Sequence, residues 1–69
     1  MTQNAEEFEY TEVENVHNYG ETKLAVLLGR GQRTTATWVP KSLLDDFPQK
    51  RGLGTVRIET WKAEELGWA

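Results

Sequence analysis

Cysteine is absent from these 69 residues, so no disulfide closes the chain and no thiolate can hold a metal. That agrees with a reducing, cytoplasmic setting. No apolar run approaches the roughly 20 residues that a membrane-spanning helix needs, and the expectation is no membrane. Lysine and arginine are missing from residues 1–21, which carry Glu6, Glu7, Glu9, Glu12, Glu14 and Glu21. An acidic, polar start is the reverse of a secretory signal. Histidine and serine occur once each and proline twice, so the common catalytic side chains are scarce.

What is present is unevenly placed. Residues 22–54 hold Lys23, Arg30, Arg33, Lys41, Lys50 and Arg51 against Asp45 and Asp46, and residues 55–69 return to slight acidity. A net charge of −3 argues against indiscriminate nucleic-acid binding. Segregated charge nonetheless makes one acidic and one basic surface plausible, weighed against ordinary solvated charge.

One small domain is expected over residues 8–69, behind a disordered tail at 1–7. Tyr, Thr, Val and Phe make residues 8–18 β-like, with a helix as the rival reading because Val13 and Val16 also suit i, i+3 spacing. Val13 and Val16 lie three apart, an odd step that changes face, and a bulge near Glu14-Asn15 absorbs it. A second strand is read at 22–28, with Leu24, Val26 and Leu28 on one face. Gly29-Arg30-Gly31-Gln32 reads as a tight turn into a third strand at 33–39. There Thr34, Ala36 and Trp38 share a face, and Trp38 is expected in the core.

Pro40 then stops the strand. Ser42-Leu43-Leu44-Asp45 resembles a capping box for about one helical turn, which Pro48 ends at Phe47. Leu43 or Leu44, with Phe47, would seal one edge of the core. A clean alternation at 55–60 puts Val56 and Ile58 inward and Arg57 and Glu59 outward. Thr60 would cap a last helix at 61–66, with Trp61 and Leu66 against the sheet and Gly67 in the left-handed position after it. Trp68 follows that stop and could fold back, but of the three indoles it is the one expected at the surface. The fold class is therefore mostly β: a small curved antiparallel sheet or open barrel of about four strands with a short C-terminal helix. It resembles barrels of the Src-homology or oligonucleotide-binding type.

The order of elements also resembles small proteins of bacteriophages and phage-derived bacterial regions. The residues concerned are Glu21-Thr22-Lys23, Trp38-Val39-Pro40-Lys41-Ser42 and Ile58-Glu59-Thr60-Trp61-Lys62-Ala63-Glu64-Glu65-Leu66-Gly67. The chain departs at Thr60, where that pattern has proline, and at Gly29-Arg30-Gly31, where it has a more acidic turn. The resemblance implies an accessory protein acting by binding and carries over no catalytic residue.

No enzyme is expected. His17 beside Glu12, Glu14 or Glu21 is a poor metal set, and neither metal nor cofactor is anticipated. Ser42 lacks a base in reach and reads as a helix cap. Adjacent Asp45 and Asp46 point apart and suit a solvated turn. Gly29-Arg30-Gly31 and Gly52-Leu53-Gly54 lack phosphate-loop spacing. They do lie beside Arg30 and Arg33, and beside Lys50 and Arg51, and four cations gather if the loops meet. Those four residues with Trp68 form the expected contact set. The first expectation is a protein partner, in a phage setting an inhibitor or modulator of a host complex. The alternative is a small nucleic-acid-binding barrel using the basic loops.

Overall fold

Val13 and Val16 both point into the core although they are three residues apart, and Asn15 shows how. Its φ of 62 puts one residue in the left-handed region, which asparagine tolerates better than most side chains. In the same place the pairing steps from Val13↔Val56 to Val16↔Gly54, three residues against two. The bulge expected at Glu14-Asn15 is thus present, and it keeps both valines on one face.

The computed structural model describes residues 9–31 and 33–68, and the side chain of Arg33 is not described. The expected tail at 1–7 lies outside the described residues. Strand β1 (Tyr10–Glu21) leads into β2 (Ala25–Gly29), a 3-10 turn (Arg33–Thr35) and β3 (Thr37–Pro40). A second 3-10 turn (Lys41–Leu43), β4 (Leu44–Asp46), β5 (Gly52–Glu59) and helix α1 (Thr60–Glu65) follow. The strands form one antiparallel sheet in the order β3-β2-β1-β5-β4.

β1 is the hub. Its Tyr10 end pairs with β5, its Glu21 end pairs with β2, and His17 and Asn18 have partners on both sides. The two edge strands, β3 and β4, are joined by the three residues Lys41–Leu43. Such a turn advances about 2 Å per residue, so the sheet curls until its edges approach. The ladder leaves that seam open.

The inner face carries Val13, Val16, Val26, Leu28, Val39, Val56 and Ile58, with Ala63 of α1 laid against them. Leu43, Leu44, Phe47, Leu66 and Trp68 pack around this cluster. Leu43, Leu44 and Phe47 do seal an edge, as their spacing predicts.

Several expectations need correction. Leu24 is 75% exposed, because the chain between β1 and β2 turns through Thr22, whose hydroxyl accepts from the Leu24 and Ala25 amides. Residues 33–35 form a 3-10 turn rather than strand, and β3 begins at Thr37 with Val39 inward against Val26. That register turns Trp38 outward, where it is 50% exposed. Ser42 makes no cap bond, and Pro40 stands at the start of its 3-10 turn. Leu44–Asp46 then forms a fifth strand where about one helical turn was expected.

At the last helix Thr60 caps nothing. Its hydroxyl meets the Thr11 hydroxyl at 2.8 Å, and Glu59 occupies the capping position without a side-chain bond to the helix's backbone amides. Glu59 is buried rather than outward, with the Trp61 indole N–H donating to its carboxylate at 2.6 Å. The far end matches expectation: Gly67 has φ 78. The Trp68 amide donates to the Ala63 carbonyl at 2.8 Å and the Gly67 amide to Glu64 at 3.1 Å. This paired turn reverses the chain and lays Trp68 on the core, so the tryptophan expected at the surface is packed.

Candidate functional site

The outer face of the sheet follows from the same register. Val16 and Asn18 are buried, so His17 and Tyr19 point the other way. Their rings stack with centroids 4.2 Å apart. Leu53 is opposite His17 on β5 and is 64% exposed. Pairing skips a residue between Asn18 and Gly20, a second bulge, and Gly20 comes opposite Leu27. Leu27 in turn is opposite Trp38. Trp38, Leu27, Tyr19, His17 and Leu53 therefore cross four strands on one face toward the Glu21 end of β1.

Two glycines shape this face. A methyl group at Gly29 would stand 3.1 Å from both Ala36 Cβ and Tyr19 Cε2. Its absence lets the Tyr19 ring lie across β2, where the hydroxyl donates to the Gly31 carbonyl at 3.1 Å. Gly20 likewise leaves room for Arg51, whose guanidinium nitrogen lies 3.7 Å from the position a Cβ would take. Arg51 thus rests over the sheet surface.

Asn18 holds that arginine's loop in place. This fully buried amide donates to the Pro48 carbonyl at 2.7 Å and accepts from the Gly20 amide at 2.8 Å. Both ends are satisfied, as burial requires. Pro48 also covers Gly54, where an added methyl would stand 2.7 Å from its Cγ. The loop bearing Lys50 and Arg51 is pinned to β1 and β5 together.

Ion pairing divides the cations into two groups. Lys41 pairs with Glu21 at 2.8 Å, Arg57 with Asp45 at 3.0 Å and Lys62 with Glu65 at 3.4 Å. Among the described residues, Lys23, Arg30, Lys50 and Arg51 have no ion pair. Arg30, Lys50 and Arg51 are exposed. The expected gathering of four cations takes a different form. Gly29 and Leu53 flank His17 from opposite sides, so Arg30 leaves β2 on one flank of β1 and Arg51 enters β5 on the other. Arg33 lies in the first loop, with its side chain outside the description.

The last expected contact residue, Trp68, is half-buried against the core. Trp38 was expected in the core, and Tyr19, His17 and Leu53 were not part of the expected contact set. The signal for Trp38 is its neighbour: Val39, one residue before the proline, fits a core better than the bulkier indole when the two must face apart.

Two shallow dents open on the surface. One of about 220 Å³ is lined by Glu14, Asn15, Leu53, Gly54 and Thr55 at the margin of the aromatic face. The other, about 280 Å³, is lined by Glu9, Thr60, Trp61 and Glu64. No group of three or more metal-ligating side chains occurs among the described residues. No described helix is long and apolar enough to cross a membrane. No family model, curated protein or solved structure matches the chain.

Proposed function

We propose that this chain is a non-enzymatic binding protein whose contact surface is the aromatic, basic end of the sheet's outer face. One observation carries the reading. Lys41, Arg57 and Lys62 are neutralised by carboxylates, whereas Arg30, Lys50 and Arg51 are exposed and, among the described residues, unpaired, and the same sheet exposes Trp38 and Leu53 on its outer face. Exposed indole and guanidinium groups are the side chains that anchor interfaces. Unpaired cations at the rim call for an anionic partner. Protein carboxylates and nucleic-acid phosphates both meet that demand. The resemblance to phage accessory proteins supports a setting in which such a surface modulates a host complex.

Affinity capture from bacterial lysate, with and without nuclease, tests the surface. The Lys50→Glu/Arg51→Glu variant should fold and lose the partner that the parent chain retains. A Trp61→Ala variant, altered outside this face, should keep it. Undiminished capture by the charge-reversed variant would remove the surface from consideration.

A further inference from the structure

Resting on that reading of the face, we propose that its ligand is single-stranded nucleic acid, with a base stacked on Trp38 and phosphates met by Arg30, Lys50 and Arg51. Three features of the face favour this ligand. First, the apolar groups are planar and accessible: Trp38 is half exposed, and the His17–Tyr19 stack lies on the same face. Rings of this kind accept unpaired bases regardless of sequence, because every base offers a flat face. Second, the cations flank the rings on both sides of β1, in the Gly29–Thr35 and Pro48–Gly52 loops. A strand crossing β1 from one cation group to the other passes over the His17–Tyr19 stack and, continued across β2, reaches Trp38 on β3. Third, Gly20 and Gly29 keep the sheet low between them, so that Arg51 and the Tyr19 ring lie along the surface instead of standing up from it.

A duplex fits less well. Its base faces are hidden, and its grooves are read by a helix or ribbon inserted from the protein. This face is a sheet with no such projection, and α1, six residues long, packs Ala63 on the inner side. Overall acidity does not oppose the assignment, because the described acids nearest the face are paired with cations or lie at its margin. Glu12 belongs to the Arg57 pair, Glu21 to Lys41, and Glu14 marks the lower limit of the face at the bulge.

A fluorescent oligo-dT of about 12 nucleotides, within the usual site size, serves as probe, with fluorescence anisotropy as readout. Three phosphate contacts predict a log K against log salt slope of about −2. Trp38→Ala should weaken binding about tenfold or more with the slope unchanged. Arg51→Gln should reduce the slope by about 0.7, and Trp61→Ala should change neither quantity. Circular dichroism checks the fold of each variant. Should Trp38→Ala unfold, Trp38→Leu keeps an apolar side chain without the ring and gives the same test. No binding at low salt overturns the proposal, as does equal affinity for a duplex of the same length. Displacement by poly-glutamate of equal charge, lost in Trp38→Ala and Arg51→Gln, assigns the face to an acidic protein and leaves the contact surface standing. If those variants alter no binding while the parent still captures its partner, the contact surface itself fails.

Discussion

The two ends of the sheet's outer face use similar side chains in opposite ways. At the Tyr10 end, Arg57 lies 5.3 Å from the Tyr10 ring centroid and reaches both Asp45, at 3.0 Å, and Glu12, at 3.9 Å. The cation, the acids and the ring there satisfy one another. At the Glu21 end, Arg51 lies over Gly20 with no carboxylate among the described residues paired to it, two residues before the exposed Leu53. An arginine on this face is thus structural in one place and available in the other. The distinction is which cation an acid reaches: Glu21, at the same end as Arg51, is held by Lys41.

Removing the support of the Glu21 end should have the largest effect on the comparison. Asn18→Leu leaves the Pro48 carbonyl and the Gly20 amide without their partner. Unsatisfied buried groups cost about 1–3 kcal/mol each, so this variant should unfold at clearly lower urea. It should also weaken binding by freeing the Arg51 loop, while the Arg57 cluster keeps its geometry. Equal urea midpoints for the two proteins would show that Asn18 does not pin the loop.

Gly54→Ala comes next. The new methyl meets Pro48 Cγ at 2.7 Å, and overpacking of this kind costs about 1–3 kcal/mol. A thermal melt reads the loss, and an unchanged melting temperature would mean that the Pro48 loop yields without strain.

Sequence pattern located much of this scaffold. The odd Val13–Val16 step marked the bulge, the alternation at Val56 and Ile58 marked β5, and Gly67 marked the end of α1. The tryptophans were misplaced in opposite directions: Trp38 and Trp61, expected inside, are half exposed, and Trp68, expected outside, is packed on the core. Treating residues 33–39 as one strand gave Trp38 the weight of a core residue, when only the Val39↔Val26 pairing decides which side faces inward. Trp68 looked exposed because it follows a helix stop, yet the turn that stops the helix also folds it back. Both errors concern tertiary direction, which local spacing leaves open. The unpaired state of Arg30, Lys50 and Arg51 was equally hidden. Arg57 carries the same charge, and its acids come from β1 and β4, distant in sequence.

The misplaced tryptophans give a paired test. Trp68→Ala opens a gap beside Ala63 and Leu66 and should cost about 3 kcal/mol or more. Trp38→Ala, half exposed, should cost about 1 kcal/mol, in keeping with its smaller buried area. Chemical denaturation of both variants checks the order. The reverse order would return Trp38 to the core and take the stacking ring from the proposed surface.

The smallest stability effect tests the comparison most directly. Arg57→Gln and Arg51→Gln each remove one exposed cation. Solvent-exposed ion pairs contribute about 0–1 kcal/mol, so Arg57→Gln should lower stability slightly. Arg51→Gln, with no ion pair to lose, should leave stability within about 0.5 kcal/mol. Net charge falls by one unit in both, so a purely global electrostatic attraction would weaken equally in the two variants. If the Glu21 end holds the ligand, only Arg51→Gln should flatten the salt dependence. At the Tyr10 end the change instead leaves Glu12 and Asp45 without their cation, some distance from the bound strand. Equal loss of affinity in the two variants would show that the ligand senses overall charge rather than the unpaired loop, and the contrast between the two ends would have no bearing on binding.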